Sequence, residues 1–151
     1  MIRMTLIAAF LMVASVAQAA ERPTATLYKD PNCGCCQGYA EYLRANGYAV
    51  VVKPTDDLMA VKKTQNVPEH LHACHSMVIG GYVVEGHVPV KILDRLLAER
   101  PKIRGISLPG MPQGSPGMSG TKEAPFKVYE IGGKGGKGTQ GAGDTKLYAV
   151  E

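Results

Sequence analysis

Three of the four cysteines lie within four residues of one another, and this run limits the fold more than any other part of the sequence. They are Cys33, Cys35 and Cys36, in the segment Asn32-Cys33-Gly34-Cys35-Cys36. The fourth cysteine, Cys74, lies in a separate short segment with three of the four histidines. Soft thiolate and borderline imidazole ligands concentrated in two segments favour one shared site. We therefore expect a fold that brings the two segments together.

The spacing of Cys33 and Cys36 is compatible with a redox function. Two thiols three residues apart at the start of a helix can close a disulfide, and the helix N-terminus favours their thiolate forms. Cys35 argues against simple dithiol exchange, because a third thiol beside the pair allows scrambled products. A cluster of a soft metal instead gains stability from each added bridging sulfur.

Three kinds of cysteine site remain open from these residues alone. The first kind is a soft-metal site, in which the four thiolates bridge several Cu(I) ions or hold one zinc ion. A zinc site fits less well, because neighbouring cysteines rarely point at one zinc centre. A redox dithiol formed by Cys33 and Cys36 is the second kind. Two structural disulfides are the third kind, and the adjacency of Cys35 and Cys36 disfavours them because a bond between neighbours is strained.

The histidines around Cys74 are candidate additional ligands. A helical turn in this segment would place His70 and Cys74 on one face, but His70 and His72 are more simply solvated surface groups. His75 begins the next predicted strand, and His87 follows the strand after it, where it either caps a helix or approaches the site. We take His75 and His87 as candidate ligands, because imidazole suits Cu(II).

Two methionines lie in a Gly/Pro-rich stretch where a core role is less natural than on a helix. They are Met111 and Met118, between Gly105 and Gly120. Thioethers are soft ligands that suit Cu(I), so both residues are candidate metal ligands. The alternative is that they anchor a rigid loop that folds back over the site.

The first residues read as an export signal. Arg3 precedes an apolar run from Thr5 to Val16 that is too short for a membrane span, and Ala17-Gln18-Ala19 has the small-x-small pattern of a cleavage site. We expect residues 1–19 to be a signal peptide cleaved near Ala19/Ala20, which leaves a periplasmic chain without a membrane segment. The formal net charge of +4 is too small to indicate nucleic-acid binding.

Apolar periodicity and turn residues predict an α/β fold. The predicted elements are strand 24–29, helix 36–46, strand 48–53, helix 58–66, strands 76–79 and 82–85, and helix 89–100. The first strand, helix and strand predict a right-handed crossover with parallel pairing. The order β-α-β-α-β-β-α is the thioredoxin-like arrangement, a sheet with helices on both faces whose active-site thiols follow the first strand. The cysteine run occupies that junction.

The mature chain is expected to have two parts. Residues 20–104 are the predicted thioredoxin-like metal-binding domain, and residues 105–151 are a Gly/Pro/Met-rich C-terminal extension. Within the extension, residues 126–131 and 146–150 read as short strands that could pair as a hairpin. The run Gly132–Gly143 between them is of low complexity, and we expect it to be flexible.

Several motifs fall in an order that resembles one known family. They are Tyr28-Lys29-Asp30-Pro31-Asn32-Cys33-Gly34-Cys35-Cys36, Val67-Pro68, Ala73-Cys74-His75, Gly81-Tyr82-Val83-Val84-Glu85-Gly86-His87-Val88-Pro89 and Leu108-Pro109-Gly110-Met111-Pro112-x-Gly114-Ser115-Pro116-Gly117-Met118. From about Thr26 to Met118 the chain resembles the CopG-type periplasmic copper-resistance proteins. The resemblance implies a thioredoxin-like protein that serves copper tolerance and handles electrons between Cu(I) and Cu(II). It also implies four cysteine ligands for copper, Cys33, Cys35, Cys36 and Cys74.

The residues and the resemblance together predict an exported copper-binding protein of copper resistance and homeostasis. Cu(I) is expected in a cysteine-bridged, multinuclear site, with no organic cofactor, and cycling between Cu(I) and Cu(II) would make the protein a copper oxidoreductase. Its expected partners are copper ions and other periplasmic copper-handling proteins. One alternative is a thiol–disulfide oxidoreductase in which Cys33 attacks and Cys36 resolves. The other is a passive copper buffer or carrier.

Overall fold

A computed structural model describes residues 22–132 and 145–151 of the chain. The predicted signal peptide and nearly all of the predicted flexible run Gly132–Gly143 lie outside the described residues. The described strands are β1 (Ala25–Lys29), β2 (Val50–Pro54), β3 (His75–Ile79), β4 (Tyr82–Glu85), β5 (Gly105–Ser107), β6 (Lys127–Ile131) and β7 (Leu147–Val150). The described helices are α1 (Gly34–Ala45), α2 (Leu58–Thr64), α3 (Val90–Glu99) and a short 3-10 helix, Glu69–Leu71.

The seven strands form one mixed sheet in the order β2-β1-β3-β4-β5-β6-β7. β1 pairs in parallel with β2 across the α1 crossover, and β3 runs antiparallel to both β1 and β4. The turn between β3 and β4 is Gly80-Gly81, and both glycines have positive φ, as a tight two-residue turn requires. The predicted α/β class and the order of elements through α3 are therefore confirmed.

The last three strands extend the sheet beyond the part with a clear sequence pattern. β5 pairs in parallel with β4 and antiparallel with β6, and β6 pairs antiparallel with β7. The sequence predicts no strand at β5, because three residues are too few to show an alternating pattern. Gly105 allows this pairing, since a Cβ there would lie 1.8 Å from the carbonyl oxygen of Val83.

The α1 helix packs its apolar face on the sheet and fixes the place where the cysteines lie. Tyr39, Ala40 and Leu43 are fully buried in the main core with Leu27 of β1 and Met77 of β3. Because the buried positions recur at three and four residues, the helix cannot rotate without exposing them. The N-terminus of α1 is therefore held at the end of β1.

The segment before β3 differs from the sequence expectation. The prediction of a helical turn that places His70 and Cys74 on one face is wrong, because the 3-10 helix ends at Leu71 and His72 has extended backbone angles. Cys74 instead immediately precedes β3. No helix among residues 22–132 and 145–151 combines the length and the apolar character needed to cross a bilayer.

Candidate metal centre

The sulfur atoms of all four cysteines meet at one place. Their Sγ atoms all lie within 4.8 Å of one another. Cys33 and Cys36 form a disulfide, while Cys35 and Cys74 are free, and the Cys35 Sγ lies 3.4 Å from the Cys33 Sγ. The two cysteine segments therefore come together in space, as the sequence predicts.

A tight turn after β1 positions the three cysteines of the first segment. The Lys29 ammonium donates to the carbonyl oxygens of Asp30 and Pro31, at 2.8 Å and 3.0 Å, and the Asp30 carboxylate accepts from the Asn32 N–H at 2.8 Å. Cys33 then adopts the extended conformation of an N-cap residue, so the next two cysteines fall in the first turn of α1. Unpaired N–H groups and the helix dipole at this end favour negative charge on sulfur.

Cys74 carries two imidazole contacts of its own. Its Sγ lies 2.9 Å from Nε2 of His87 and 3.5 Å from Nδ1 of His75. Burial and the nearby Cys35 raise the pKa of the Cys74 thiol to about 12, so it is protonated at neutral pH in the metal-free protein. The Cys74 S–H then donates to His87 Nε2, because Nδ1 of His87 donates to the Pro116 carbonyl oxygen at 2.5 Å.

The two histidines add nitrogen donors to a second, overlapping group. Cys36, Cys74, His75 and His87 also have their ligand atoms within 4.8 Å of one another. Burial, helped by His87 and Lys62, lowers the pKa of His75 well below its usual range, and burial also lowers the pKa of His87. Both imidazoles are therefore neutral at pH 7. The buried His75 Nε2 has no hydrogen-bond partner among the described residues.

An aromatic ring of the core packs against both histidines. The Tyr39 ring centroid lies 4.7 Å from that of His75 and 5.2 Å from that of His87. The Tyr39 hydroxyl donates to the Val88 carbonyl oxygen at 2.8 Å, which fixes the ring. Tyr39 thus limits the rotation of both imidazoles.

The stretch with the two methionines folds back over the start of α1. A parallel bridge joins Ala73, the residue before Cys74, to Gly110, the residue before Met111, and the Met111 side chain is 58% exposed. Gly117 packs on the α1 backbone so closely that a Cβ there would lie 2.4 Å from the Tyr39 nitrogen. Met118 follows this contact directly.

The remaining histidines have other partners. His70 Nε2 lies 2.9 Å from Thr145 Oγ1, and His72 Nε2 lies 3.0 Å from the Val67 carbonyl oxygen. Neither is in the two groups of ligand atoms that converge among the described residues.

A buried polar cluster beside Cys74 contains none of the candidate residues that the sequence indicates. Its members are Lys62 of α2, Ser76 of β3 and Glu85 of β4, all nearly or fully buried. The Glu85 carboxylate accepts hydrogen bonds from the Lys62 ammonium, the Ser76 hydroxyl and the Ala73 N–H. The available signal was a glutamate at the end of a strand that is otherwise apolar, two residues before His87.

Comparison with solved structures finds two close likenesses. "Copper resistance protein copG- Form 2" superposes with a TM-score of 0.74 at 34% identity, covering 87% of this chain and 99% of that chain. "Copper resistance protein copG- Form 1" superposes with a TM-score of 0.73 at 34% identity, covering 87% of this chain and 98% of that chain.

Sequence comparison gives a shorter match. A family described as "Protein of unknown function, DUF411" matches residues 71–118, which include Cys74, His75 and His87. No curated protein matches the chain.

Proposed function

Because the chain belongs to the family of CopG copper resistance proteins, we propose that it binds copper through the thiolates of its four cysteines, once a thiol reductant has opened the Cys33–Cys36 disulfide, and serves copper resistance. The observation that carries this proposal is the approach of four sulfurs from two separate segments to within 4.8 Å. Structural disulfides would need only separate pairs of sulfurs. Four converging sulfurs match the ligand preference of Cu(I).

The proposed site is cysteine-bridged and holds more than one Cu(I) ion. Cys35 and Cys36 are neighbours, so their sulfurs are poorly placed to point at a single tetrahedral centre. Bridging removes this conflict, because each thiolate can bind two metal ions. The helix N-terminus offsets part of the negative charge that such a cluster of thiolates carries.

The histidines extend the proposal to both oxidation states of copper. Imidazole suits Cu(II), and His75 and His87 lie beside Cys36 and Cys74. The Pro116 carbonyl holds the proton of His87 on Nδ1, which leaves the Nε2 lone pair facing the sulfur of Cys74. We infer that the imidazoles act as ligands when a one-electron acceptor oxidises the bound copper to Cu(II), and that a one-electron donor returns it to Cu(I).

The methionines complete the proposed ligand set at the outer side of the site. Met111 and Met118 lie on the stretch that contacts Ala73 and α1. Their thioethers suit Cu(I) and remain unprotonated at any pH, which makes them suitable for capturing the ion first. An exposed position for Met111 favours this role.

We also infer that the protein acts after export. The N-terminal sequence has the three regions of a secretory signal, and cleavage near Ala19/Ala20 would release the chain to the periplasm. Its partners there would be copper ions and other copper-handling proteins.

The test is the copper content of the anaerobically purified mature protein, measured by elemental analysis with and without Cys35→Ser. We expect more than one copper per wild-type chain and a sharp fall in the variant, because Cys35 is a bridging ligand. Unchanged copper content in Cys35→Ser would reject the cluster. Reversible oxidation and reduction of the bound copper would separate redox cycling from a passive buffer or carrier.

The Cys33–Cys36 disulfide favours a second candidate function. In a thiol–disulfide oxidoreductase, the Cys33 thiolate would attack a substrate disulfide, Cys36 would resolve the mixed disulfide, and the substrate would leave as a dithiol. This function predicts insulin-disulfide reduction that survives Cys35→Ser and Cys74→Ser but is lost in Cys33→Ser. Reduction that needs all four cysteines would contradict it.

A further inference from the structure

A buried carboxylate lies directly behind the segment that carries Cys74. The Glu85 side chain is fully buried, and its Oε1 accepts from the Ala73 N–H at 2.8 Å and from the Lys62 ammonium. Its Oε2 accepts from the Ser76 hydroxyl. Burying a carboxylate and an ammonium costs free energy unless both are well paired, so this arrangement is held by several mutual bonds.

The segment that carries Cys74 is also held on its other side, by backbone contacts with Gly110. The Gly110 N–H donates to the His72 carbonyl oxygen at 2.9 Å, and Ala73 forms a parallel bridge with Gly110. Immediately after Cys74, His75 enters β3 and pairs with Lys29 of β1. Glu85 thus accepts from the backbone N–H of the residue that directly precedes Cys74.

We propose that Glu85 is a positioning residue for Cys74, acting through its hydrogen bond to the Ala73 N–H, and that Lys62 acts by pairing with this buried carboxylate. The inference rests on the proposed copper site in one respect, that Cys74 is a copper ligand. Glu85 itself touches no sulfur. It fixes the peptide ahead of Cys74, and therefore the distance between the Cys74 Sγ and the other three cysteine sulfurs.

A contact at the neighbouring residue supports this role. A Cβ on Gly86 would lie 2.7 Å from the Ala73 Cβ and 2.4 Å from the Leu108 carbonyl oxygen. The strand end that carries Glu85 therefore lies against the Cys74 segment without a side chain between them. The carboxylate reaches Ala73 from a rigid strand, which is the kind of element that holds a ligand accurately.

The test compares two double variants that both remove the buried charge pair. Glu85→Gln with Lys62→Met keeps a carbonyl acceptor for the Ala73 N–H, whereas Glu85→Leu with Lys62→Met removes it. Neither leaves an unpaired charge in the core, so both are expected to fold. If the leucine variant does not fold, Glu85→Asp takes its place, because a side chain shorter by one methylene withdraws the acceptor from the fixed Ala73 N–H, whereas the flexible Lys62 side chain can follow the carboxylate.

The first measurement needs no metal. Iodoacetamide alkylation of the disulfide form is followed at Cys74 by peptide mass spectrometry, with the free Cys35 as the internal reference. We expect faster alkylation of Cys74 in the leucine variant, the wild-type rate in the glutamine variant, and an unchanged Cys35 in both. Equal Cys74 rates in the two variants would overturn the inference.

The second measurement is Cu(I) affinity by competition with a Cu(I)-specific chelator. Loss of an outer hydrogen-bond partner of a ligand typically weakens metal binding by about tenfold to hundredfold, and we expect this loss in the leucine variant only. In a Cys74→Ser background the two variants should bind alike, because the effect passes through Cys74. A loss that persists in that background would show a general structural effect and contradict positioning.

The two proposals fail in different ways. A wild-type protein that binds no Cu(I) would reject the proposed function, while the alkylation rates would still decide the role of Glu85.

Discussion

Cys74 differs from the other three cysteines because it comes from another element and has two neutral imidazoles beside it. Its thiol donates to His87, whose other nitrogen is fixed by Pro116. Copper binding must displace this proton, since the thiolate is the ligand form. The sequence could identify Cys74 as a partner of the cysteine run, because soft ligands were confined to two segments. It could not show that Pro116, far along the chain, would set the tautomer of His87.

The buried histidines predict a dependence of stability on acidity. Burial lowers the pKa of His75 well below its usual range, so the folded metal-free protein keeps it neutral where the unfolded chain binds a proton. Stability is therefore complete above the unfolded pKa of about 6.5 and falls as the pH drops below it, by up to about 1.4 kcal/mol per pH unit for one such histidine. Urea unfolding of the metal-free protein between pH 7.5 and 5.5 measures this.

The control for that prediction is His75→Phe, which removes the titrating group but keeps a ring in the core. The free energy of unfolding should depend less on pH in this variant, and the remaining pH dependence should come from His87. A wild-type free energy of unfolding that stays constant from pH 7.5 to 5.5 would contradict the account.

At the scale of elements, the site depends on how α1 meets the stretch that follows β5. The bounds of α1 and the β3–β4 hairpin could be predicted to within two residues, because each has a clear apolar period and a glycine where the chain must turn. The backward fold of residues 109–118 could be named only as an alternative, because Gly/Pro-rich sequence has no period that fixes its direction. The burial of Lys62 could not be predicted for a similar reason, since a lysine on a short helix usually faces solvent.

Gly117→Ala tests the contact between that stretch and α1. A Cβ at Gly117 would lie 2.4 Å from the Tyr39 nitrogen and 2.8 Å from the Gly38 carbonyl carbon, and Gly117 has a φ of +80°. The stretch must then move away from α1, and we expect a loss of about 1–3 kcal/mol in the free energy of unfolding. Urea unfolding of the metal-free protein measures this loss.

Gly81→Ala is the matched control, because Gly81 has a φ of +84° but open space around its Cβ position. In Gly81→Ala, the free energy of unfolding should fall only by the cost of placing an alanine in this backbone conformation. Equal losses in the two variants would mean that the Gly117 contact adds nothing to stability.

At the scale of the whole molecule, the C-terminal strands share the sheet and core of the site-bearing elements. Phe126 and Val128 belong to the same buried cluster as Tyr39, Met77 and Leu27. β5 joins the two parts by pairing with β4 on one side and β6 on the other. The sequence indicated the two outer strands, but their place in the sheet depends on long-range pairing that local periodicity does not encode.

This arrangement predicts that a core change in β6 destabilises the whole protein. Val128 is fully buried, so Val128→Ala should cost about 1–3 kcal/mol, whereas Val150→Ala, at a residue 54% exposed on β7, should change stability little. Urea unfolding followed by circular dichroism should show one transition, shifted only in Val128→Ala. A second, separate transition that alone responds to Val128→Ala would contradict a shared core.

The central claim is that four cysteine sulfurs bridge copper, and X-ray absorption at the copper edge of the anaerobically purified protein tests it most directly. We predict copper coordinated mainly by sulfur, with short copper–copper distances that only bridged ions produce. A spectrum with isolated copper ions bound by nitrogen and oxygen would contradict the cysteine-bridged site. A metal-free protein that keeps the Cys33–Cys36 disulfide would contradict it as well and would favour thiol–disulfide exchange.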